Sequence, residues 1–133
     1  MPHVVLKGSV HVKEIFTIIN PIFVRLENGL IKSSEFFISQ NENSMIIKAL
    51  SIENEKKISF LILISNRDDG IVIRLYPDFD IPKTFGVKKM LAEIAILILK
   101  EFKGLSVGKT NLSEFLQKKL LILSEKEKFH TLK

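Results

Sequence analysis

The run from Val87 to Phe102, VKKMLAEIAILILKEF, constrains the fold more than any other part of the chain. Nine of the ten residues from Met90 to Leu99 are apolar, and Glu93 is the single exception. A helix that is apolar around most of its circumference is buried on most of it. We therefore predict a long helix over 83–103 that lies across a sheet.

Segments with the pattern of strands precede this run. The segment His3–Val12 alternates apolar and polar residues, which predicts a half-buried strand. Two short helices are expected over 13–28, broken at Asn20-Pro21. Four more strands, separated by polar turns, are predicted at 31–39, 44–52, 57–65 and 71–76. The order predicts an α+β fold, in which an antiparallel sheet of about five strands packs on a long C-terminal helix.

The segment SFLILIS at 59–65 is apolar at both alternating sets of positions. Successive side chains of a strand point to opposite faces of the sheet. A strand that is apolar on both faces belongs at the centre of a sheet, with a layer on each side. The sequence therefore predicts that some part of the chain, or a partner, covers the second face.

The C-terminal part contains an additional amphipathic segment. An apolar stripe follows the linker Gly104–Lys109 and predicts an extra helix, and its members are Leu112, Phe115, Leu116, Leu120 and Leu123. Burial of five such side chains contributes about 7–15 kcal/mol before ordering costs, so the stripe folds back on its own sheet or docks on another chain. We predict a homodimer with this helix in the interface. The chain divides accordingly into a domain at 1–104 and a helical extension with a polar tail at 105–133.

Size and composition exclude several classes of protein. A chain of 133 residues is long enough for one domain with its own core. Cysteine is absent, which excludes disulfides and thiolate chemistry. The first residues do not have the pattern of a signal peptide, and the longest apolar run is too short for a membrane span. We expect a cytoplasmic protein, and the abundance of Ile and Lys is typical of a biased genome or a hot habitat.

The net charge of +5 is unevenly distributed. Residues 1–99 hold 12 Lys and Arg against 11 Asp and Glu, whereas residues 100–133 hold 8 Lys against 4 Glu. This C-terminal excess is typical of a solvated helix, and it is also compatible with an anionic partner. In that alternative, a nucleic acid or another partner binds the basic C-terminal segment through Lys109, Lys118, Lys119, Lys126 and Lys128.

Motifs that carry catalytic or metal chemistry are weak in this chain. The segment GLSVGKT at 104–110 has three residues between Gly104 and Gly108, one fewer than a phosphate-binding loop requires. We interpret it as the end of a helix followed by a new capped helix. Asp78 and Asp80 have the pattern of turn residues rather than of a cation site. The sequence predicts no cofactor and no metal, and an enzyme is the less favoured class.

Aromatic and basic residues on the predicted strands allow a different function. Phe36 and Phe37 point to opposite faces, so one of them could stack on a base if the sheet were open. The order of sheet and helix is also compatible with half of a protein that resembles the TATA-box-binding protein, whose exposed sheet binds DNA. In that case Lys32, Lys48 and Arg74 would contribute charge, although core packing is the stronger interpretation of the rings.

The order of elements resembles the START-like helix-grip superfamily. The features that carry this resemblance are the first strand with KGSV at 7–10, the Asn20-Pro21 break, and the segment DIPKTFGVKKMLAEIAILILKEF. That segment is similar to the closing helix of the carbon monoxide dehydrogenase-associated branch and of small stand-alone archaeal members. The family has about six strands after the helical pair, whereas four are predicted here.

The resemblance implies a sheet that curls around the long helix, with an apolar ligand in the gap between them. The residues that would line this gap are Phe37, Ile47, Phe60, Ile62, Ile73, Phe85, Leu91, Ile94 and Ile98. It follows that the chain is predicted to be a non-enzymatic binding module for a hydrophobic small molecule or a lipid. Gly8, on the inner face of the first strand, would leave room for a close approach.

Overall fold

The computed structural model describes residues 1–77 and 79–117. Its elements, in chain order, are β1 (His3–Lys7), α1 (Val12–Ile18), β2 (Phe23–Leu26), β3 (Gly29–Ile38), β4 (Ser44–Glu53), β5 (Lys56–Arg67), β6 (Gly70–Leu75), α2 (Phe85–Glu101) and β7 (Ser106–Thr110). Residues 113–117 form a short helical segment after β7.

The strands form one antiparallel sheet in the order β2-β3-β4-β5-β6-β1-β7. Strands β2 to β6 are consecutive hairpins, and β1 then adds to the far side of β6. Strand β7 returns from the end of α2 and pairs with β1, which places Val4 opposite Thr110. The sheet curls into a half-barrel.

The core lies on the inner face of this half-barrel, where alternate strand residues are buried. On β4 these are Met45, Ile47, Ala49 and Ser51, and the register places Ile47 opposite Ile62 of β5. Both helices contribute buried side chains to the same core, among them Ile15 of α1 and Ile94 of α2. The two helices therefore pack on the inner face.

Helix α1 is fixed at its N-terminus by side chains from two directions. The backbone N–H of Val12 donates to the side-chain carbonyl of Asn66 on β5, at 2.9 Å. The carboxylate of Glu14 accepts a hydrogen bond from the backbone N–H of His11, at 3.2 Å. These contacts satisfy N–H groups that have no partner within the helix itself.

Helix α2 is the longest helix of the described residues, with 17 residues, and most of its surface is buried as its composition requires. Ile94 and Ile98 have no exposed surface. The polar interruption is partly exposed, and there Lys89 forms an ion pair with Glu93 across one helical turn at 3.4 Å. Within the described residues, no helix is long and apolar enough to cross a membrane.

The fold class predicted from the sequence is wrong. Over residues 1–77 and 79–117, the sheet has seven strands rather than about five, the helices are short, and α2 is followed by a further strand instead of closing the fold as a C-terminal helix. Two segments account for the difference, 23–26 and 106–110, which are strands in the structure, whereas the sequence pattern predicts a helix and a linker there.

Strand β2 replaces the second predicted helix. Ile22, Val24 and Leu26 are partly buried and pack against the core, which is the alternation of a strand. Ser33 of β3 fixes the start of this strand, because its hydroxyl accepts from the backbone N–H of Ile22 at 2.7 Å. The backbone N–H of Ser33 donates in turn to the carbonyl of Ile22 at 2.9 Å. Asn20-Pro21 therefore ends helical structure instead of starting a second helix.

Strand β7 occupies the segment for which the sequence predicts a linker and a helix cap. Val107 packs against the core, and the register places it opposite Leu6 of β1. The approach to this strand depends on Gly8, where a Cβ would come within 3.2 Å of the Gly104 carbonyl and would overlap the side chain of Leu105. The room that Gly8 leaves is therefore filled by Leu105 of the same chain.

Candidate functional site on the outer face of the sheet

The residues predicted to line an inner cavity fall into two groups. Seven are buried in the core and pack in one cluster, and these are Ile47, Phe60, Ile62, Ile73, Leu91, Ile94 and Ile98. The other two are on the surface, with 51% of Phe37 and 59% of Phe85 exposed. The structure thus brings the seven together as packed core, and it separates Phe37 and Phe85 from them.

Phe85 belongs to a pocket of mixed polarity at the N-terminus of α2. This pocket has a volume of about 250 Å³, and it is lined by Leu26, Glu27, Asn28, Glu53, Asn54 and Phe85. The Glu53 carboxylate is occupied on both oxygens, because it accepts from the Thr84 hydroxyl at 2.6 Å, the Ser51 hydroxyl at 2.7 Å and the Gly86 backbone N–H at 2.9 Å. These contacts attach the helix to the sheet.

The electrostatics of Glu53 follow from this arrangement. Desolvation by burial acts to raise the pKa of its carboxyl group, but hydrogen bonds from Thr84, Ser51 and the Gly86 backbone act in the opposite direction. The net effect is a pKa below the ordinary value, since donors stabilise the charged form. Glu53 is therefore a structural anion, and its oxygens are already in use.

The opposite side of the sheet, which we call the outer face, has a different character. Strand register places on it the alternate residues that point away from the core, and in β2 to β6 these include Phe23, Arg25, Leu30, Lys32, Phe37, Ile46, Lys48, Leu50, Ile52, Lys57, Leu61, Leu63, Val72 and Arg74. All of them are half-buried or exposed. In the part of the chain that the structure describes, both helices lie on the inner side.

An apolar pocket opens on the outer face above β5. It has a volume of about 140 Å³, and its lining is Lys48, Ser59, Phe60, Leu61, Phe79 and Ile81. We call it the Phe79 pocket. Phe79 and Ile81 come from the segment that connects β6 to α2, and the backbone N–H of Tyr76 donates to the carbonyl of Leu61 at 2.9 Å. The ring of Tyr76 lies 5.7 Å from that of Phe79, which holds the segment over the sheet.

The charged groups on the outer face are mainly cations. Lys48, beside the Phe79 pocket, lies 3.8 Å from the carboxylate of Glu35, and both side chains are more than half exposed. An exposed pair at this distance contributes little to stability, so Lys48 can exchange Glu35 for another anion at small cost. Arg74 lies between Leu63 and His3 in the register, and its buried Nε has no hydrogen-bond partner among the residues that the structure describes.

The residues predicted for nucleic-acid binding are mostly outside the described part of the chain. Lys109 is exposed on β7, which is an edge strand, whereas Lys118, Lys119, Lys126 and Lys128 lie outside the described residues. Asp78 also lies outside them, so the pair with Asp80 has no geometry to describe. Among residues 1–77 and 79–117, no group of three His, Asp or Glu side chains is placed to hold a metal ion.

Comparison with known proteins adds no assignment. Neither the family models, nor the curated proteins, nor the solved structures give a match to this chain.

Sequence reasoning missed most residues of the Phe79 pocket. The sequence pattern places Phe60 in an inner cavity, although it also reaches this pocket, and it does not distinguish Leu61, Phe79 and Ile81. A signal existed in the segment at 59–65, whose second apolar face required cover. Part of that cover is supplied by Phe79 and Ile81, which belong to a segment that the sequence marks only as a turn.

Proposed function

We propose that this chain is a binding module for a small apolar carboxylate, held in the Phe79 pocket. The observation that carries the proposal is the combination of an apolar lining, from Leu61, Phe79 and Ile81, with one cation at the rim, Lys48. Small-molecule sites combine a largely apolar wall with a few polar groups that fix orientation. The packing of the inner-face residues against one another is the reason for placing the ligand here, rather than between the sheet and α2.

The size of the pocket limits the ligand. A volume near 140 Å³ is room for about five groups of the size of a water molecule, and apolar cavities of about this volume accommodate a benzene ring. Sites for drug-sized molecules are larger, at roughly 300–1,000 Å³. A single aromatic ring or a short acyl chain therefore fits, with the remainder of the molecule in solvent.

The charge at the rim selects the polar end of the ligand. The Lys48 ammonium is weakly engaged by Glu35 at 3.8 Å, and its stem passes along the apolar surface beside Leu61. A carboxylate on the ligand would replace Glu35 as the partner of Lys48. An amine of the same shape would meet a like charge at this position, so the pocket discriminates by the sign of the charge.

The test is a nuclear magnetic resonance titration of the full chain with benzoate, hexanoate and benzylamine. For such small ligands we expect dissociation constants on the order of millimolar. The expected result is saturable methyl shifts of Leu61 and Ile81 with the two carboxylates and much smaller shifts with benzylamine. Methyl shifts of the same size with all three compounds would overturn the proposal, and so would the absence of shifts with the two carboxylates.

Two variants and two matched controls locate the site. Phe79→Ala removes a wall of the pocket and should abolish saturable binding, whereas Lys48→Gln should weaken binding of benzoate about two- to fivefold. Phe23→Ala and Lys32→Gln change equally exposed residues of the same face that do not line the pocket. Both controls should bind benzoate as the wild type does. A loss of binding in the controls alone would place the site elsewhere.

A further inference from the structure

Aromatic and cationic side chains share cross-strand rows on the outer face. In one row, Phe23 of β2 lies opposite Lys32 of β3, which is followed by Leu50 of β4. In a second row, Phe37 is followed by Ile46, Leu63 and Arg74 on successive strands. The two rings are 57% and 51% exposed, and they are among the most exposed large apolar side chains described. Each row thus ends in a ring that is more than half exposed.

Charge on this face is strongly one-sided. Six cations point outward from β2 to β6, namely Arg25, Lys32, Lys48, Lys57, Arg67 and Arg74, and Glu35 is an acidic side chain on the same face. Among the six, Lys48 has Glu35 as an ion-pair partner at 3.8 Å, and Arg67 has Asp69 at 3.0 Å. Whole-chain charge is only +5, so the outer face carries a large share of the positive potential.

We propose that the outer face binds single-stranded nucleic acid. Exposed bases stack on Phe23 and Phe37, while Arg25, Lys32 and Arg74 contact the phosphates between and beside them. Base stacking on aromatic side chains along a cationic surface is the general mode of single-strand binding, and it does not require a base-specific site. The two rows lie five residues apart along β3, or roughly 15 Å, so one strand of several nucleotides can reach both rings.

Charge complementarity favours this occupant over two others. A second copy of the chain, docked face to face, would bring two cationic faces together. A lipid surface would meet apolar side chains that are half-buried between the strands, such as Ile46 and Leu63, and protruding rings that lie among cations. Nucleic acid alone supplies both flat apolar groups and a regular row of anions.

The test is fluorescence anisotropy of the full chain with labelled 15-nucleotide poly-dT, poly-U and a 15-base-pair duplex, at 50 and 200 mM salt. The expected result is tighter binding of the single strands than of the duplex, with affinity falling as salt rises. Phe23→Ala and Phe37→Ala should each weaken single-strand binding about five- to 150-fold. Lys32→Gln should reduce the slope of log affinity against log salt by about 0.7.

Controls separate the outer face from general attraction to a basic protein. Lys83→Gln and Lys103→Gln remove exposed cations at the ends of α2 and should leave affinity almost unchanged. Circular dichroism melts should show that all variants fold. An equal loss of affinity in these controls would overturn the proposal and indicate diffuse attraction to a basic protein. A loss of affinity confined to Lys109→Gln and to the double variant Lys118→Gln, Lys119→Gln would overturn it in favour of binding by the C-terminal segment.

Two further outcomes would assign the face to a different partner. A concentration-dependent dimer in sedimentation equilibrium that Phe37→Glu abolishes would show that a second copy covers the face. Binding to phosphatidylglycerol vesicles without binding to the oligonucleotides would indicate a lipid surface. Failure here is distinguishable from failure of the Phe79 pocket, because Phe79→Ala should bind poly-dT normally and Phe23→Ala should bind benzoate normally.

Discussion

The hydroxyl of Thr84 donates a 2.6 Å hydrogen bond to the carboxylate of Glu53, and this contact joins the N-cap of α2 to the last residue of β4. The same hydroxyl oxygen accepts from the backbone N–H of Val87, at 3.4 Å, as the cap of the helix. A carboxylate at a helix N-terminus also complements the positive end of the helix dipole. One acidic side chain thus ties the start of α2 to the end of a strand.

Replacement of Glu53 should measure this dependence. Glu53→Gln preserves the volume of the side chain but removes the charge that three donors stabilise. We expect the free energy of unfolding to fall by roughly 1–3 kcal/mol. Urea denaturation followed by circular dichroism measures the change. Glu55→Gln, in the exposed turn that follows, is the matched control and should have little effect.

The contribution of Glu53 should depend on pH in a defined direction. Its pKa is lowered in the folded state from an ordinary value of 4.5, so the stabilisation is complete above that value and is lost as pH falls through the folded pKa. The stability difference between wild type and Glu53→Gln should therefore be constant from pH 7 to about 5 and narrow at lower pH. A difference that widens as pH falls would contradict the assignment. Thermal melts at pH 7, 5, 4 and 3 provide the measurement.

Gly86, in the first turn of α2, should not tolerate alanine. Alanine is the better helix former by about 1 kcal/mol. A Cβ at this position, however, would overlap the hydroxyl of Ser51 and lie 2.8 Å from the carboxylate of Glu53. We expect Gly86→Ala to destabilise the protein by about 1–3 kcal/mol. In the double variant with Ser51→Ala, the free energy of unfolding should fall by less than the sum of the two single changes, because the Ser51 hydroxyl no longer blocks the new Cβ. Additive changes would argue against this contact.

Replacement of Leu116 tests whether the C-terminal apolar stripe packs on the core of its own chain. Leu112 and Leu116 are buried in the core of their own chain, and the ring of Phe115 lies 5.3 Å from that of Phe85. Leu116→Ala should cost about 2–5 kcal/mol, with a melting temperature that does not depend on protein concentration. A melting temperature that rises with protein concentration would instead support the homodimer, which stays a prediction. Leu120 and Leu123 lie outside the described residues.

Ser33 should contribute more to the stability of the fold than the small size of its side chain suggests. Its side chain is almost fully buried, and it is the acceptor for the backbone N–H of Ile22. Ser33→Ala leaves that donor without its partner, and we expect a loss of about 1–3 kcal/mol. Amide hydrogen exchange should show faster exchange in β2 than in β4. Ser34→Ala, exposed on the next position of the same strand, is the control and should change neither measurement.

Local patterns in the sequence predict several segments to within two residues. Strands expected at 44–52 and 57–65 correspond to Ser44–Glu53 and Lys56–Arg67, and the helix expected at 83–103 corresponds to Phe85–Glu101. These elements are ten or more residues long and are rich in apolar residues, so the sequence identifies them clearly. Strands β2 and β7 have four and five residues, too few for a period to be recognised. Their structure depends on partners distant in the chain, which a local pattern does not contain.

The candidate site was less predictable than the fold. Burial of Ile62 and Ile94 followed from composition, but the sequence could not say whether such residues line a cavity or fill it. The resemblance to a helix-grip fold places Phe37 inside, whereas a register shift between Ser33 and Glu35 brings Phe36 to the inner face and Phe37 to the outer one. A bulge of one residue reverses the faces for the rest of a strand.

The pairing of β1 with β6 and β7 has a consequence for the order of folding. Strands β2 to β6 form contacts between neighbours in the chain, which close quickly. Strand β1 is synthesised first, yet its partners lie near residues 71 and 107, so it must wait for most of the chain. On the ribosome, the hairpins can assemble while the N-terminal strand is still unpaired. We expect a slow final step in refolding, in which the first strand and the last one close the sheet together.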